Sequence, residues 1–395
     1  MSLPQIAAIV TEYRHRAHAD VIVGKFLRGF PCDDGLHPPR VRIASLYLDQ
    51  VNPTDIGVAT AVEFGVPLYP SIRSALTLGG EALAVDGVLL IGEHGDYPWD
   101  EADRHLYPRR HFLEQIAGVM VESKRAVPVF VDKHLSYNWP DAHWMAARAR
   151  SLGIPLLAGS SLPTAWRRPW VEHPLGAPLE AAVVIGYGGL ESYGFHALEA
   201  LQCQAERRAG GETGVAAVCC LEGADVWRWL AAHPAHAVLA KAAGEAIAET
   251  AAPWERAAEV AGNAAAFIVQ YRDGLTGAVL MLNGYSTSFA YAGLSAGRAQ
   301  ACEIVLQGTE PHGHFSYLCR NIEELFLTGR APYPVERTIL TTGLLNAAME
   351  SRLGGCVWLP TPHLDLAYRA AEGPFWRATG PAPAGATLDP WPPAR

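Results

Sequence analysis

Val85-Asp86-Gly87-Val88-Leu89-Leu90-Ile91 is apolar at every position after its acid, and Gly92-Glu93-His94-Gly95-Asp96-Tyr97-Pro98 follows at once. An apolar run of this length without alternation reads as a strand buried on both faces of a parallel sheet. Its flanks alternate in kind. Strands are expected at Ile6–Val10, Val41–Leu48, Pro67–Tyr69, Val127–Val131 and Ile154–Ala158. Helices are expected at His15–Leu27, Pro53–Phe64, Ile72–Leu78, Arg109–Ser123 and Asp141–Leu152. Strand–helix alternation implies right-handed crossovers and an α/β fold with a Rossmann-like, doubly wound parallel sheet, here over residues 1–162.

Beyond Trp166 the pattern changes. Ala181–Gly186, Val215–Leu221, Ala265–Tyr271, Ala278–Asn283 and Glu303–Gln307 read as strands, two of them joined at Asp273-Gly274 as a hairpin. His196–Arg208, the alanine-rich stretch 224–262, Ile322–Leu327 and Ile339–Ser351 read as helices. Residues 163–370 are therefore expected to form an α+β domain with a mostly antiparallel sheet for substrate and oligomerisation. Residues 371–395 are a Pro/Gly/Ala-rich tail. The chain has 395 residues, 50% hydrophobic and 18% charged, enough for two cores. Its net charge of −9 argues against nucleic acid as a partner. No apolar stretch is long enough for a membrane span, and the N-terminus lacks the features of a signal peptide. The seven cysteines are scattered without a C-x-x-C, as reduced thiols in a cytoplasmic protein would be.

Several segments carry a resemblance. Ser45-Leu46-Tyr47-Leu48-Asp49-Gln50 places an acid at a strand end. EFGVPLYPSIRSAL begins at Glu63, VDGVLLIG at Val85, and VFVDKHLSYNWPDAHWMAARARSLGIPLLAGSS at Val129. Tyr193-Gly194-Phe195-His196 opens a helix. In order and spacing, over roughly residues 5–355, the chain resembles the Gfo/Idh/MocA family of oxidoreductases. The resemblance implies a ribose-binding role for Asp49, an active-site lysine at Lys133, a substrate-domain histidine at His196, and dimers or tetramers built on an open sheet face. The chain also departs from that family. The first strand is followed by Thr11-Glu12-Tyr13-Arg14-His15-Arg16-Ala17-His18, without the glycines that let a backbone approach a pyrophosphate. Asp132-Lys133-His134 stands at the family's Glu-Lys-Pro.

Ligands of open parallel sheets bind beyond the carboxyl ends of the strands. Glu12, His15 and His18, the segment Glu93-His94-Gly95-Asp96, and Asp132-Lys133-His134 all fall there. His94 and Asp96 are two apart, as are Asp132 and His134, which in extended chain puts both side chains on one side. Imidazole with carboxylate suits zinc, manganese or iron. His94, Asp96 and His134 are the first metal candidates, with Asp132, Glu93, His15 and His18 next. The same residues could instead cap helices or bind water. Lys133, His196 and Asp132 are the catalytic candidates. Tyr13, Arg14, Glu93, Glu191 and Tyr193 are the substrate-binding candidates. His312 and His314 form a further two-apart pair.

These features lead to the expectation of a non-redox enzyme: a lyase, hydratase, isomerase or hydrolase. It would act by acid–base chemistry, with a divalent metal as candidate cofactor, on a small polar hydroxylated molecule. The alternative is an NAD(P)-dependent oxidoreductase of a sugar-like or cyclitol-like alcohol. A non-catalytic binding protein is the third reading.

Overall fold

The computed structural model describes residues 2–308, 310–372 and 375–380. From the N-terminus run β1 (Gln5–Glu12), α1 (His18–Arg28), a hairpin of β2 (Phe30–Cys32) and β3 (Gly35–His37), β4 (Arg42–Gln50), α2 (Gly57–Glu63) and α3 (Ile72–Thr77). Then come β5 (Gly87–Ile91), α4 (Arg109–Glu122), β6 (Val129–Asp132), α5 (Trp139–Ser151) and β7 (Leu156–Gly159). The order β4-β1-β5-β6-β7 makes a five-stranded sheet, parallel throughout. Every residue of β5 is buried. Val88 and Leu90 pack on Phe112, Ile116 and Met145 on one side, while Leu89 and Ile91 pack with Ile22, Leu318 and Ile322 on the other.

The expected strand at Pro67–Tyr69 does not form. Its contribution is a single bridge, Leu46 with Leu68. Prolines at 67 and 70 bracket it, and a proline has no N–H to extend a ladder.

The second half contains β8 (Trp166–Arg168), β9 (Leu179–Gly186), α6 (Ser192–Ala205), β10 (Glu212–Thr213), β11 (Val215–Glu222), α7 (Ala224–Ala232), α8 (Pro234–Ala246) and α9 (Ala257–Val260). There follow β12 (Ala265–Tyr271), β13 (Thr276–Met281), β14 (Phe289–Ser295), β15 (Arg298–Val305), α10 (His314–Thr328), α11 (Glu336–Leu353), β16 (Leu359–Pro360) and β17 (Ala367–Tyr368). Eight strands pair in the order β16-β11-β12-β13-β9-β14-β15-β8, antiparallel except for β13 beside β9. The fold is thus a parallel α/β sheet followed by a mostly antiparallel one.

The expected open face of this second sheet is covered. Along β9, Ala182 and Val184 join a core with Leu198, Leu201, Leu340 and Leu344 of α6 and α11. Ala181, Val183 and Ile185 point the other way, into a core with Val226, Leu230, Leu239 and Ala243 of α7 and α8. The helices of 224–262 therefore occupy the surface that the resemblance assigns to a second protomer.

All seven cysteines are free of disulfides. Among the described residues no helix is long and apolar enough to cross a membrane. Of the expected tail, residues 375–380 are held in place: the Trp376 amide donates to Asn321 Oδ1 at 2.9 Å and the Ala378 amide to the Thr164 carbonyl at 3.0 Å. Residues 373–374 and 381–395 lie outside the described residues.

Candidate functional site

The carboxyl ends of β1, β5 and β6 open on a cavity of about 590 Å³. Arg14, Arg16 and His18 reach it from the turn after β1, Glu93 and His94 from the end of β5, and Lys133 from the end of β6. The second half supplies the opposite wall with Tyr193 and His196 of α6, Phe289 of β14, and His312 and His314 at the start of α10. Arg16, His94, Lys133 and His312, with φ of 64°, 62°, 62° and 52°, all line it in left-handed backbone. That conformation is costly for residues with a Cβ, and four such residues gather at this one cavity.

Lys133 Nζ donates to Glu93 Oε1, and both side chains are buried. His18, the first residue of α1, holds its Nδ1 2.8 Å from Asp132 Oδ2 and 3.2 Å from Glu93 Oε2. The edge of Phe315 meets the His18 ring, with centroids 5.0 Å apart. Burial pushes the Glu93 carboxyl up, but the positive charge of His18 and Lys133 outweighs it and holds the group well below its usual range. His196 Nδ1 lies 2.6 Å from Ser160 Oγ, and its ring centroid is 5.6 Å from that of His18. Burial, with Lys133 and His18 adding to it, holds His196 well below the ordinary histidine range, so its imidazole is neutral.

Of the metal candidates, His94, Asp96 and His134 do not converge. Arg14 Nη2 donates to His94 Nδ1 at 2.8 Å, and His94 Nε2 faces Glu93 Oε1 at 3.2 Å, so both ring nitrogens are engaged. Asp96 is exposed on the loop. His134 is wholly buried, its Nε2 2.8 Å from Glu191 Oε1 but not aligned for a hydrogen bond. Burial, reinforced by Arg109, lowers its pKa to about 4. Glu191, facing His134, is likewise buried and does not line the cavity, which corrects its substrate-binding assignment. Tyr13 is corrected too. Its side chain is wholly buried in the core beside α1, against the backbone of Gly57, where a Cβ would stand 2.7 Å from its own.

Arg14, Glu93, Tyr193, Lys133 and His196 do meet at the cavity, and Asp132 lies just behind it on His18. Asp49 ends β4 at the surface, where it accepts hydrogen bonds from Tyr47 Oη at 2.7 Å and Tyr97 Oη at 2.6 Å. Arg109 is the first residue of α4. It is fully buried, stacks 4.6 Å over Tyr107 and, among the described residues, finds no hydrogen-bond acceptor. Gly92 makes room for it, since a Cβ there would lie 2.6 Å from Arg109 Cγ. Beside the main cavity lies a hollow of about 390 Å³ lined by Arg14, His15, Arg16, Ala17, Thr54 and His94.

The sequence matches no family model and no curated protein. Solved structures do match in fold. GenD2 from gentamicin A biosynthesis, in complex with NAD, shares 14% identity at a TM-score of 0.58, covering 91% of this chain and 97% of its own. A probable dehydrogenase from Thermotoga maritima shares 12% at 0.55, covering 91% and 99%. Scyllo-inositol dehydrogenase from Lactobacillus casei, with bound NAD(H) and scyllo-inositol, shares 10% at 0.53, again covering 91% and 99%. The chain has the Gfo/Idh/MocA-like fold of these dehydrogenases. The expectation of a non-redox lyase, hydratase, isomerase or hydrolase is overturned by these neighbours, two of which are named dehydrogenases and two of which hold NAD or NAD(H).

Proposed function

We propose that the protein is an NAD(P)-dependent oxidoreductase that interconverts a hydroxyl and a carbonyl on a small, hydroxylated substrate. The observation that carries this reading is the meeting of Lys133 and His196 across one cavity at the carboxyl edge of the parallel sheet. The fold neighbours that bind NAD support it.

The residues after β1 fit a dinucleotide in an altered way. Without glycines, and with Tyr13 packed into the core, the turn offers no backbone cradle for phosphates. Arg14 and Arg16 supply side-chain cations in the adjoining hollow instead, and guanidinium groups suit a diphosphate. Asp49, at the end of β4, is the acid for a ribose. A dinucleotide bound there supplies a hydride acceptor or donor. The chain's own residues do the rest. The Lys133 ammonium, held by Glu93, donates to the substrate oxygen and stabilises negative charge developing on it. His196 is fixed through Nδ1 by Ser160, and its other ring nitrogen accepts the substrate hydroxyl. Tyr193 and Phe289 line the cavity beside them.

The test is a fluorescence titration with NADH and NADPH, followed by absorbance assays at 340 nm over a panel of polyols, cyclitols and aldoses. Saturable binding of either nucleotide together with turnover of one substrate class supports the reading. Binding of neither nucleotide at millimolar concentration refutes it.

A further inference from the structure

We propose that His18, Glu93 and Asp132 form a site for a first-row divalent metal ion in the wall of the cavity. His18 comes from the start of α1, Glu93 from the loop after β5 and Asp132 from the end of β6, and one ligand atom of each lies within 4.8 Å of the others. His18 Nδ1 is 2.8 Å from Asp132 Oδ2 and 3.2 Å from Glu93 Oε2. Ligand atoms sharing one ion with bonds of about 2.0–2.2 Å stand at roughly such separations.

A second observation points to a ligand. Among the described residues Asp132 Oδ1 has no hydrogen-bond partner, although its side chain is only 1% exposed, and Glu93 Oε2, 4% exposed, has none beyond its 3.2 Å ion-pair contact with His18 Nδ1. A buried carboxylate oxygen left without a partner is costly, and native structures rarely keep one. Lys133 does not resolve this, because it is committed to the other oxygen of Glu93.

One imidazole nitrogen with carboxylate oxygens suits Zn²⁺, Mn²⁺ or Fe²⁺ rather than Ca²⁺ or a soft monovalent ion. Phe315 fixes the His18 ring from its side. His18 and Glu93 line the cavity, so an ion held there would be open to the space where a substrate would lie. Its natural occupant is a hydroxyl or carbonyl oxygen. The site stands independently of dinucleotide binding.

The test uses the full-length protein, stripped with a chelator and titrated with Co²⁺, with metal content read by elemental analysis. The expected result is about one ion per chain, a visible d–d absorption, and a raised melting temperature. His18→Ala, Asp132→Asn and Glu93→Gln should each weaken binding at least tenfold. Cys32, Asp34 and His37 also converge, on the surface hairpin. A Cys32→Ser/His37→Ala variant should therefore keep the ion. Failure of the wild-type protein to bind Co²⁺ at millimolar concentration overturns the proposal, as does equal binding by folded His18→Ala and Asp132→Asn. The wild-type titration decides even if a variant does not fold. Nucleotide titrations on stripped and loaded protein separate the two readings: a cobalt spectrum without NAD(P)H binding refutes the oxidoreductase and keeps the metal site.

Discussion

Glu206→Gln should destabilise the whole chain, because Glu206 neutralises a cation in the deepest packing between α6 and α11. Arg337 donates through Nε to Glu206 Oε2 at 2.9 Å and through Nη2 to Oε1, and both side chains are only 2–3% exposed. The carboxylate holds the Arg337 guanidinium well above its usual range against burial, which acts in the opposite direction. Glutamine keeps the shape and the acceptor for Tyr368 Oη, now 2.9 Å from Glu206 Oε2, but removes the guanidinium's hydrogen-bonded counter-charge. Removing one partner of a buried pair costs about 3–5 kcal/mol. With an unfolding entropy of about 2 cal/mol/K per residue, 395 residues give roughly 0.8 kcal/mol/K, so the melting temperature should fall by about 4–6 °C. Urea and thermal unfolding of Glu206→Gln, Arg337→Met and the double variant form the assay. The double variant should recover most of the loss, because the uncompensated charge is gone. Additive single costs, or single costs below about 1 kcal/mol as for a surface pair, would refute the reasoning.

Lys133→Met should lower kcat/KM of the NAD(P)-linked reaction by about 10²–10³-fold. Nucleotide affinity should change little; an unaltered rate would remove Lys133 from the chemistry. Arg14→Ala and Arg16→Ala should each weaken NAD(P)H binding by roughly 10- to 100-fold and flatten its salt dependence, since a charge-assisted bond contributes about 1.5–3 kcal/mol. Equal affinities by fluorescence titration would place the diphosphate elsewhere. Lys25 is buried, and burial lowers its pKa from 10.5 to about 8. Between those values the unfolded chain binds the proton and the folded chain does not, so stability should rise with pH through that window, by about 3 kcal/mol in all. Denaturation of Lys25→Met across pH 7–10.5 should lack that rise, and a slope equal to wild type would contradict it.

The parallel sheet was legible because its signal is local. Gly87–Ile91 is buried at every residue, as an unbroken apolar run requires. The same logic applied to β9 and was missed. Ala181–Ile185 is also apolar without alternation, which a sheet open on one face would not need. Its neighbour in the core, the alanine-rich 224–262, was read as helical but not placed. A strand pattern states that a face is covered, not by which distant segment.

The site was half legible for a geometric reason. Pairing His94 with Asp96, and Asp132 with His134, assumed extended chain, where residues two apart share a side. Neither stretch is extended: left-handed backbone falls at His94 and Gly95 in one and at Lys133 in the other. His94 and Lys133 both have φ of 62°, which turns the chain as it leaves β5 and β6. Glu93 and Asp132 are the last residues before those turns, and they face His18. The residues after the turns leave the cavity: Asp96 goes to the surface and His134 to Glu191 in the interior. The partners that do meet are 114 residues apart in the case of His18 and Asp132, and no spacing rule connects them. Lys133 is not a residue type that favours left-handed backbone, so the sequence gives no warning of the turn after β6, whereas His94 and Gly95 are types that enter it more readily. Their strain has to be offset by what the turns assemble, a lysine, two carboxylates and two imidazoles at one cavity.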